Sequence, residues 1–327
     1  VAGAAMNVKT SFVIPHKGRE EMLIQTLDSI AAQDFPASEY EIIVVSQNHA
    51  VSEALSVLAS KLPLSIIYND KENTISHSRN LGAKVAEGKY LAFLDADVAL
   101  APDWLKTMMH ILNSSPSIAL VSAMQMNSDN APPLERIRTA LSNADLDTNV
   151  SFLPGRNLFL RKETFIEAGK FPEHLQTCED YYFTDKVNQL GNLYYTSKTQ
   201  YVHIGEDKAF IPMWKKEIWR GQSNIASLKG RRIPMREWPS FIIPFAVSGG
   251  FFLAFIGLLI SQPWFTTVML IGAILPVILY TIRLKTLTKK SVQFYHCAFF
   301  YLLYFPARAI GTILGVRGVV DTSSHKK

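Results

Sequence analysis

The chain has 327 residues, 48% of them hydrophobic and 19% charged, with a formal net charge of +5 and two cysteines. This apolar content excludes an intrinsically disordered chain, while Cys178 and Cys297 fall in different regions, which excludes a disulfide-held scaffold and suits the cytosol. So small a positive charge fits an anionic ligand or an acidic membrane surface, and nothing in it points to nucleic acid as a partner.

Residues 1–7, with Val1 to Ala5 before Met6, read as a tag-like, unstructured start without a secretion signal. From Val8 strands and helices alternate. "VKTSFVIP" is a strand and "EEMLIQTLDSIAAQ" a helix, with Met22, Ile24, Leu27, Ile30 and Ala31 at helical spacing. "YEIIVVS" is a strand, Ser52 to Lys61 a helix, "LSIIYN" a strand, Ser76 to Glu87 a helix ending at Gly88, and "YLAFLD" a fourth strand. Helical crossovers between strands imply an α/β fold with a mainly parallel sheet. Pro102 to Asn113 then predicts a helix and "IALVSAMQM" a strand, followed by an irregular polar stretch from Asn127 to Asn149. "VSFLPGRNLFLRKETFIEAGKF" reads as strand, glycine turn, strand and short helix. A helix from about Asp180 to Leu190 and the strands "LYYTS" and "TQYVHIGE" close this part.

Trp238 to Ile282 contains no Asp, Glu, Lys or Arg, a run of 45 residues broken near its middle by Ser261, Gln262 and Pro263. One membrane crossing takes about 20 apolar residues, so the run predicts a transmembrane helical hairpin. Lys229, Arg231, Arg232 and Arg236 precede it, and Arg283, Lys285, Lys289 and Lys290 follow it, which puts both ends in the cytoplasm. Val292 to Val316 is also apolar but holds His296, Pro306, Arg308 and many aromatics. It favours an amphipathic or re-entrant helix over a third crossing, with the tail Arg317, Lys326 and Lys327 staying cytoplasmic.

The strand "YLAFLD" runs into Asp95 and Asp97, one residue apart, at the end of a sheet strand where α/β folds bind ligands. In extended chain both carboxylates would project the same way, toward one divalent ion or the phosphates it bridges. Glu179 and Asp180 form a second acidic pair at a helix start, where the free N–H groups favour carboxylates.

"SFVIPHKGREEMLIQTLDSIAAQ", "EIIVVS", "SRNLGAKVAEGKYLAFLDADV", "GRNLFLRKETFIEAGKF", "CEDYYFTDKVNQLG" and "YVHIGE" resemble, in order and separation, the family 2 glycosyltransferases, over roughly Lys9 to Lys208. The resemblance implies a GT-A, Rossmann-like catalytic domain over 8–212 that binds a nucleotide sugar and a divalent metal, Mg or Mn. It assigns donor binding to Pro15, Gln47, Asn48, Arg79, Asp95 and Asp97, and metal binding to Asp97 and His203. Asp180 becomes the catalytic base of an inverting transfer, with Gly155, Arg156, Asn157 and Glu179 on the acceptor side. Asn80 and Gly82 look like packing residues that bring helix and strand together. One departure concerns the second strand: many members carry a pair of acids after it, whereas Ser46, Gln47 and Asn48 are neutral here, which weakens a uridine reading.

Beyond that domain the expected organisation is a basic interfacial linker helix over 213–237, the hairpin over 238–283, an amphipathic, re-entrant or third transmembrane helix over 292–318, and a basic tail over 319–327. Anchoring calls for an acceptor in the bilayer. The expectation is an enzyme of a bacterial or archaeal cytoplasmic membrane, adding one sugar per encounter to a lipid-linked acceptor on the cytoplasmic face. "WRGQSN" lacks the Gln-x-x-Arg-Trp signature of processive synthases. The alternatives are transfer to polyprenyl phosphate and an inactive, membrane-anchored nucleotide-sugar scaffold.

Overall fold

A computed structural model describes residues 8–228 and 235–324. The tag-like start at 1–7, the flanking residues Lys229, Arg231 and Arg232, and Lys326 and Lys327 lie outside the described residues. The chain forms two units: the first runs to Ser128 and resumes over Asp145–Gly205, and the second joins Asp129–Ala144 to the chain from Glu206 onward.

In chain order the first unit begins β1 (Thr10–His16), α1 (Glu20–Ala31), β2 (Tyr40–Ser46), α2 (Glu53–Lys61), β3 (Leu64–Tyr68), α3 (Ile75–Val85), β4 (Tyr90–Leu94), β5 (Val98–Leu100), α4 (Trp104–Ser114) and β6 (Ile118–Met126). The second unit then takes α5 (Pro133–Ser142). The first resumes with β7 (Thr148–Val150), β8 (Asn157–Arg161), α6 (Lys162–Glu167), α7 (Glu179–Asn188) and β9 (Asn192–His203).

The sheet order is β3-β2-β1-β4-β8-β6-β9-β5, with β7 also paired to β9. The first four strands are parallel, as their βαβ connections dictate, but β8 runs antiparallel to both β4 and β6. The sheet is therefore mixed beyond β4. Alternate residues feed two cores: Phe12, Ile14, Ile42, Val44, Ala92 and Leu94 pack on one face, and Val13, Ile43, Val45, Leu91 and Phe93 on the other. Burial on both faces explains why these strands read as unbroken apolar runs. Gly82 lets α3 close on the sheet, since a Cβ there would lie 2.5 Å from Val13 Cγ1. Asn80 holds the loop before α7, donating to Phe171 O at 2.9 Å and accepting from Phe171 N at 3.0 Å.

"LYYTS" and "TQYVHIGE" are one strand of 12 residues, β9, kept continuous across a register shift against β6 between Ala123 and Met124. The stretch expected to be irregular after Asn127 holds α5. Its Leu134 and Ile137 are fully buried in the core of the second unit.

That unit adds α8 (Phe210–Gly221), α9 (Trp238–Leu259), α10 (Pro263–Thr288) and α11 (Phe294–Ser324). The latter three are long and apolar enough to cross a membrane. About a fifth of the apolar window is buried in α9 and α10, at 22% and 17%, against 44% in α11. The difference comes from α8, which lies along α11. A Cβ on Gly221 would sit 3.0 Å from Gly311 Cα, and Gly315 leaves room for the Gln222 carbonyl. The Gly-x-x-x-Gly spacing of 311 and 315 is thus used within the chain. Beside this crossing, Glu217 accepts from Arg138 and from Arg220, the latter at 2.5 Å, while Arg308 stands 3.7 Å away and donates to Asn224 Oδ1 at 2.8 Å. Burial opposes the charge on Glu217, but Arg138, Arg220 and Arg308 outweigh it and pull the carboxyl down to about 2.

Candidate active site

Arg79 organises the acidic rim. Carried by α3, whose N-terminus Thr74 caps by accepting from His77 N at 3.2 Å, its side chain is only 2% exposed. One Nη2 donates to Asp95 Oδ1 at 2.8 Å and Nη1 to Glu179 Oε1 at 2.9 Å. The guanidinium thereby joins the end of β4 to the start of α7, residues 100 apart in sequence in the case of Glu179. Its Nη2 also reaches Gly155 O at 3.4 Å, and Phe171 covers its face at 5.0 Å. Gly155 is glycine for want of space: a Cβ would stand 2.8 Å from Arg79 Nη2. Its N–H donates to Asp180 Oδ2 at 3.1 Å, while Tyr181 N donates to Asp180 Oδ1 at 2.8 Å. Burial and then the neighbouring Asp180 outweigh Arg79 at Glu179 and raise its carboxyl to about 7.

Asp95 and Asp97 do not share one direction. The strand stops at Leu94, the chain turns at Ala96 and Asp97, and β5 starts at Val98. Asp95 therefore faces Arg79. Asp97, 9% exposed, meets His203 Nε2 at 3.4 Å on Oδ1 and Arg19 Nη2 at 3.2 Å on Oδ2. Pairing of Val98 with His203 across β5 and β9 sets the imidazole there. Arg156 donates to Gln125 Oε1 at 2.6 Å and lies 3.4 Å from His203 Nδ1. A buried carboxylate and an imidazole suit Mn or Mg. Among the described residues no group of three metal-ligating side chains occurs, so such an ion would rely on phosphate and water for its other positions.

Gln47 and Asn48 line a cleft of about 340 Å³ with His49, Tyr68, Asn69, Asp70 and Lys71. Gln47 Nε2 donates to the carbonyls of Asp70 and Asn73 at 2.7 and 2.8 Å. Asn48 Oδ1 accepts from Gly18 N at 2.8 Å. Pro15 is buried within β1, in register with Val45. Asn157 is not at an open surface: Trp104 Nε1 and Ala123 N donate to its Oδ1 at 3.2 and 3.0 Å, which fixes the side chain inside the sheet.

Sequence reasoning missed Arg19, Gln125, Tyr68 and Asp70. For Arg19 the available signal was a Gly-Arg pair directly after a strand that ends beside the acids. Gln125 lies on a buried strand and carries no local signal.

A curled, mixed sheet whose strand ends carry this charged rim defines the GT-A fold. Residues 11–169 match the profile of Glycosyl transferase family 2, so the chain contains a domain of that family and is a glycosyltransferase. It is 24% identical over 235 residues to Glycosyltransferase AglE of Haloferax volcanii, covering 69% of this chain and 76% of AglE. Against poly(ribitol-phosphate) beta-N-acetylglucosaminyltransferase TarS of Staphylococcus aureus it is 26% identical, with 64% of this chain covered, and it spans only 36% of TarS. Among solved structures, mannosyltransferase PcManGT from Pyrobaculum calidifontis, in complex with GDP-Man and Mn2+, superposes with a TM-score of 0.61 at 16% identity, covering 93% of this chain and 87% of that one. TarS 1–349 in complex with UDP-GlcNAc gives 0.53 at 17% identity, covering 92% and 91%.

Proposed function

We propose that the chain moves one sugar, with inversion, from a nucleotide-diphospho-sugar to a hydroxyl of a membrane-embedded, lipid-linked acceptor on the cytoplasmic face. The observation that carries this reading is the gathering of Asp95, Glu179 and Asp180 around Arg79 and Gly155, within one unit and drawn from distant parts of the sequence. In this reading the nucleoside lies in the cleft of Gln47 and Asn48, where exposed Tyr68 offers a stacking face and Asp70 the one carboxylate among the lining residues. Asp97 and His203 would hold the divalent ion, which when bound would supply charge neutralisation for the diphosphate.

The acceptor hydroxyl attacks the anomeric carbon from the face opposite the diphosphate. As the new C–O bond forms, the bond from that carbon to the phosphate oxygen breaks, and the nucleoside diphosphate leaves with the electron pair. The hydroxyl proton passes to Asp180. Two backbone N–H groups aim that carboxylate, and Glu179, Gly155 and Arg156 shape the acceptor side. Asn157 is removed from that side, because its amide is committed to the sheet.

Membrane residence is supported by the three apolar helices, on which Phe252, Leu258, Trp264 and Ile271 are exposed, and by basic residues at the ends of the hairpin. The GDP-Man and Mn2+ complex of PcManGT and the UDP-GlcNAc complex of TarS support a nucleotide-sugar donor and a divalent metal by analogy. Asp180→Asn tests the mechanism: turnover of a labelled donor by membranes should fall by roughly 10²–10⁴-fold, the usual share of a general base, with nucleotide-sugar binding retained. Unchanged turnover would remove Asp180 from the chemistry.

A further inference from the structure

Arg19 occupies a position that the reading above leaves unexplained. Its Nη2 lies 3.2 Å from Asp97 Oδ2, the carboxylate oxygen opposite the one His203 approaches, yet its side chain is 60% exposed while that of Asp97 is 9% exposed. The pair is seated on bare backbone. A Cβ on Gly205 would coincide with the Asp97 carboxylate and stand 2.8 Å from Arg19 Nη1. Arg19 also belongs to the loop that borders the nucleoside cleft: Gly18 and Arg19 are both left-handed, at φ 64° and 43°, and Gly18 N is held by Asn48 Oδ1. The same short loop thus reaches from the cleft to the carboxylate.

A divalent cation arriving at Oδ2 would compete with the Arg19 guanidinium for that oxygen and repel its like charge at close range. A guanidinium is displaced at small cost when it is mostly solvated, and it binds a diphosphate more strongly than a single carboxylate because it meets more charge and more acceptor oxygens. We infer that Arg19 is an exchangeable counter-ion: it neutralises Asp97 until a divalent cation arrives with a nucleoside diphosphate, then yields Oδ2 to the cation and turns to the diphosphate. This rests on the reading that Asp97 and His203 hold the cation. The consequence is that metal and nucleotide bind cooperatively, and that metal alone binds weakly because Arg19 competes with it.

The test is a Mn2+ titration of the full chain in detergent, following the electron paramagnetic resonance of free Mn2+, with and without UDP, GDP, ADP, CDP or TDP. In the unaltered protein at least one of these should tighten Mn2+ binding. Arg19→Gln and Arg19→Ala, which empty no buried space, should bind Mn2+ alone roughly threefold to tenfold more tightly and lose most of the enhancement by nucleotide. Arg19→Lys should keep the weak binding of Mn2+ alone. If both neutral variants bind Mn2+ alone no better than the unaltered protein while Asp97→Asn abolishes binding, the cation site stands and the exchange is refuted. The exchange is equally refuted if none of the five nucleotides enhances binding. If Asp97→Asn leaves Mn2+ binding unchanged, the assignment of the cation to Asp97 falls, and the exchange with it.

Discussion

Glu179 shows how one carboxyl can be both paired and burdened. Arg79 donates to it at 2.9 Å, but the same guanidinium also serves Asp95, and Glu179 is buried next to Asp180. Its pKa rises from 4.5 to about 7, so between those values the folded protein binds more protons than the unfolded chain. The contribution of this group to stability is therefore fully present below pH 4.5 and is lost as pH rises through about 7. Thermal unfolding measured from pH 5 to pH 8 should show this decline, and Glu179→Gln should flatten it. The sequence made the acids, Arg79 and His203 visible because a charge that ends an apolar strand, or opens a helix, stands out locally. It did not show which carboxylate each cation holds. Asp95 and Asp97 part company because the chain turns at Ala96, and no pattern of apolar residues encodes that turn. The partners of Asn157 were hidden for a related reason: Trp104 and Ala123 come from a helix and a strand distant in sequence.

Among the elements, the first four strands and their helices were legible almost to the residue, since β1, β2 and β4 are short buried apolar runs and the half-exposed edge strand β3 still alternates between helices. The helix α5 was not. Its Leu134, Ile137 and Leu141 do have helical spacing after Pro133, but the segment is polar in composition and its burial depends on helices more than 70 residues later. The role of α8 was equally hidden, because the close crossing with α11 needs Gly221, Gly311 and Gly315 together. Gly311→Leu places a side chain against the Ile218 carbonyl and should destabilise the second unit by about 1–3 kcal/mol, the range for overpacking a tight contact. Removing the hub charge by Glu217→Gln leaves Arg138, Arg220 and Arg308 without their shared negative charge and should cost about 3–5 kcal/mol. Both are measurable as lowered unfolding temperatures in detergent. Since the Glu217 carboxyl is depressed from 4.5 to about 2, its contribution persists above pH 4.5 and is lost only as pH falls toward 2.

For the whole molecule, the α/β catalytic unit and the apolar hairpin were both readable, because composition changes sharply at Trp238. The division between units was not readable from composition. The chain passes from the first unit to the second after Ser128, returns at Asp145, and leaves again after Gly205. The piece that leaves first is α5, and its Leu134 and Ile137 share a core with Met213, Val277, Leu284 and Phe300. With the apolar helices set in a vesicle, a protease that severs only the bond between Gly205 and Glu206 should therefore not release the front half. The severed front half would still carry a plug seated among the remaining helices, and centrifugation should keep both fragments in the pellet until detergent or urea dissolves that seat. Exchanging Leu134 and Ile137 for serine should let the front half float free after the same single cut.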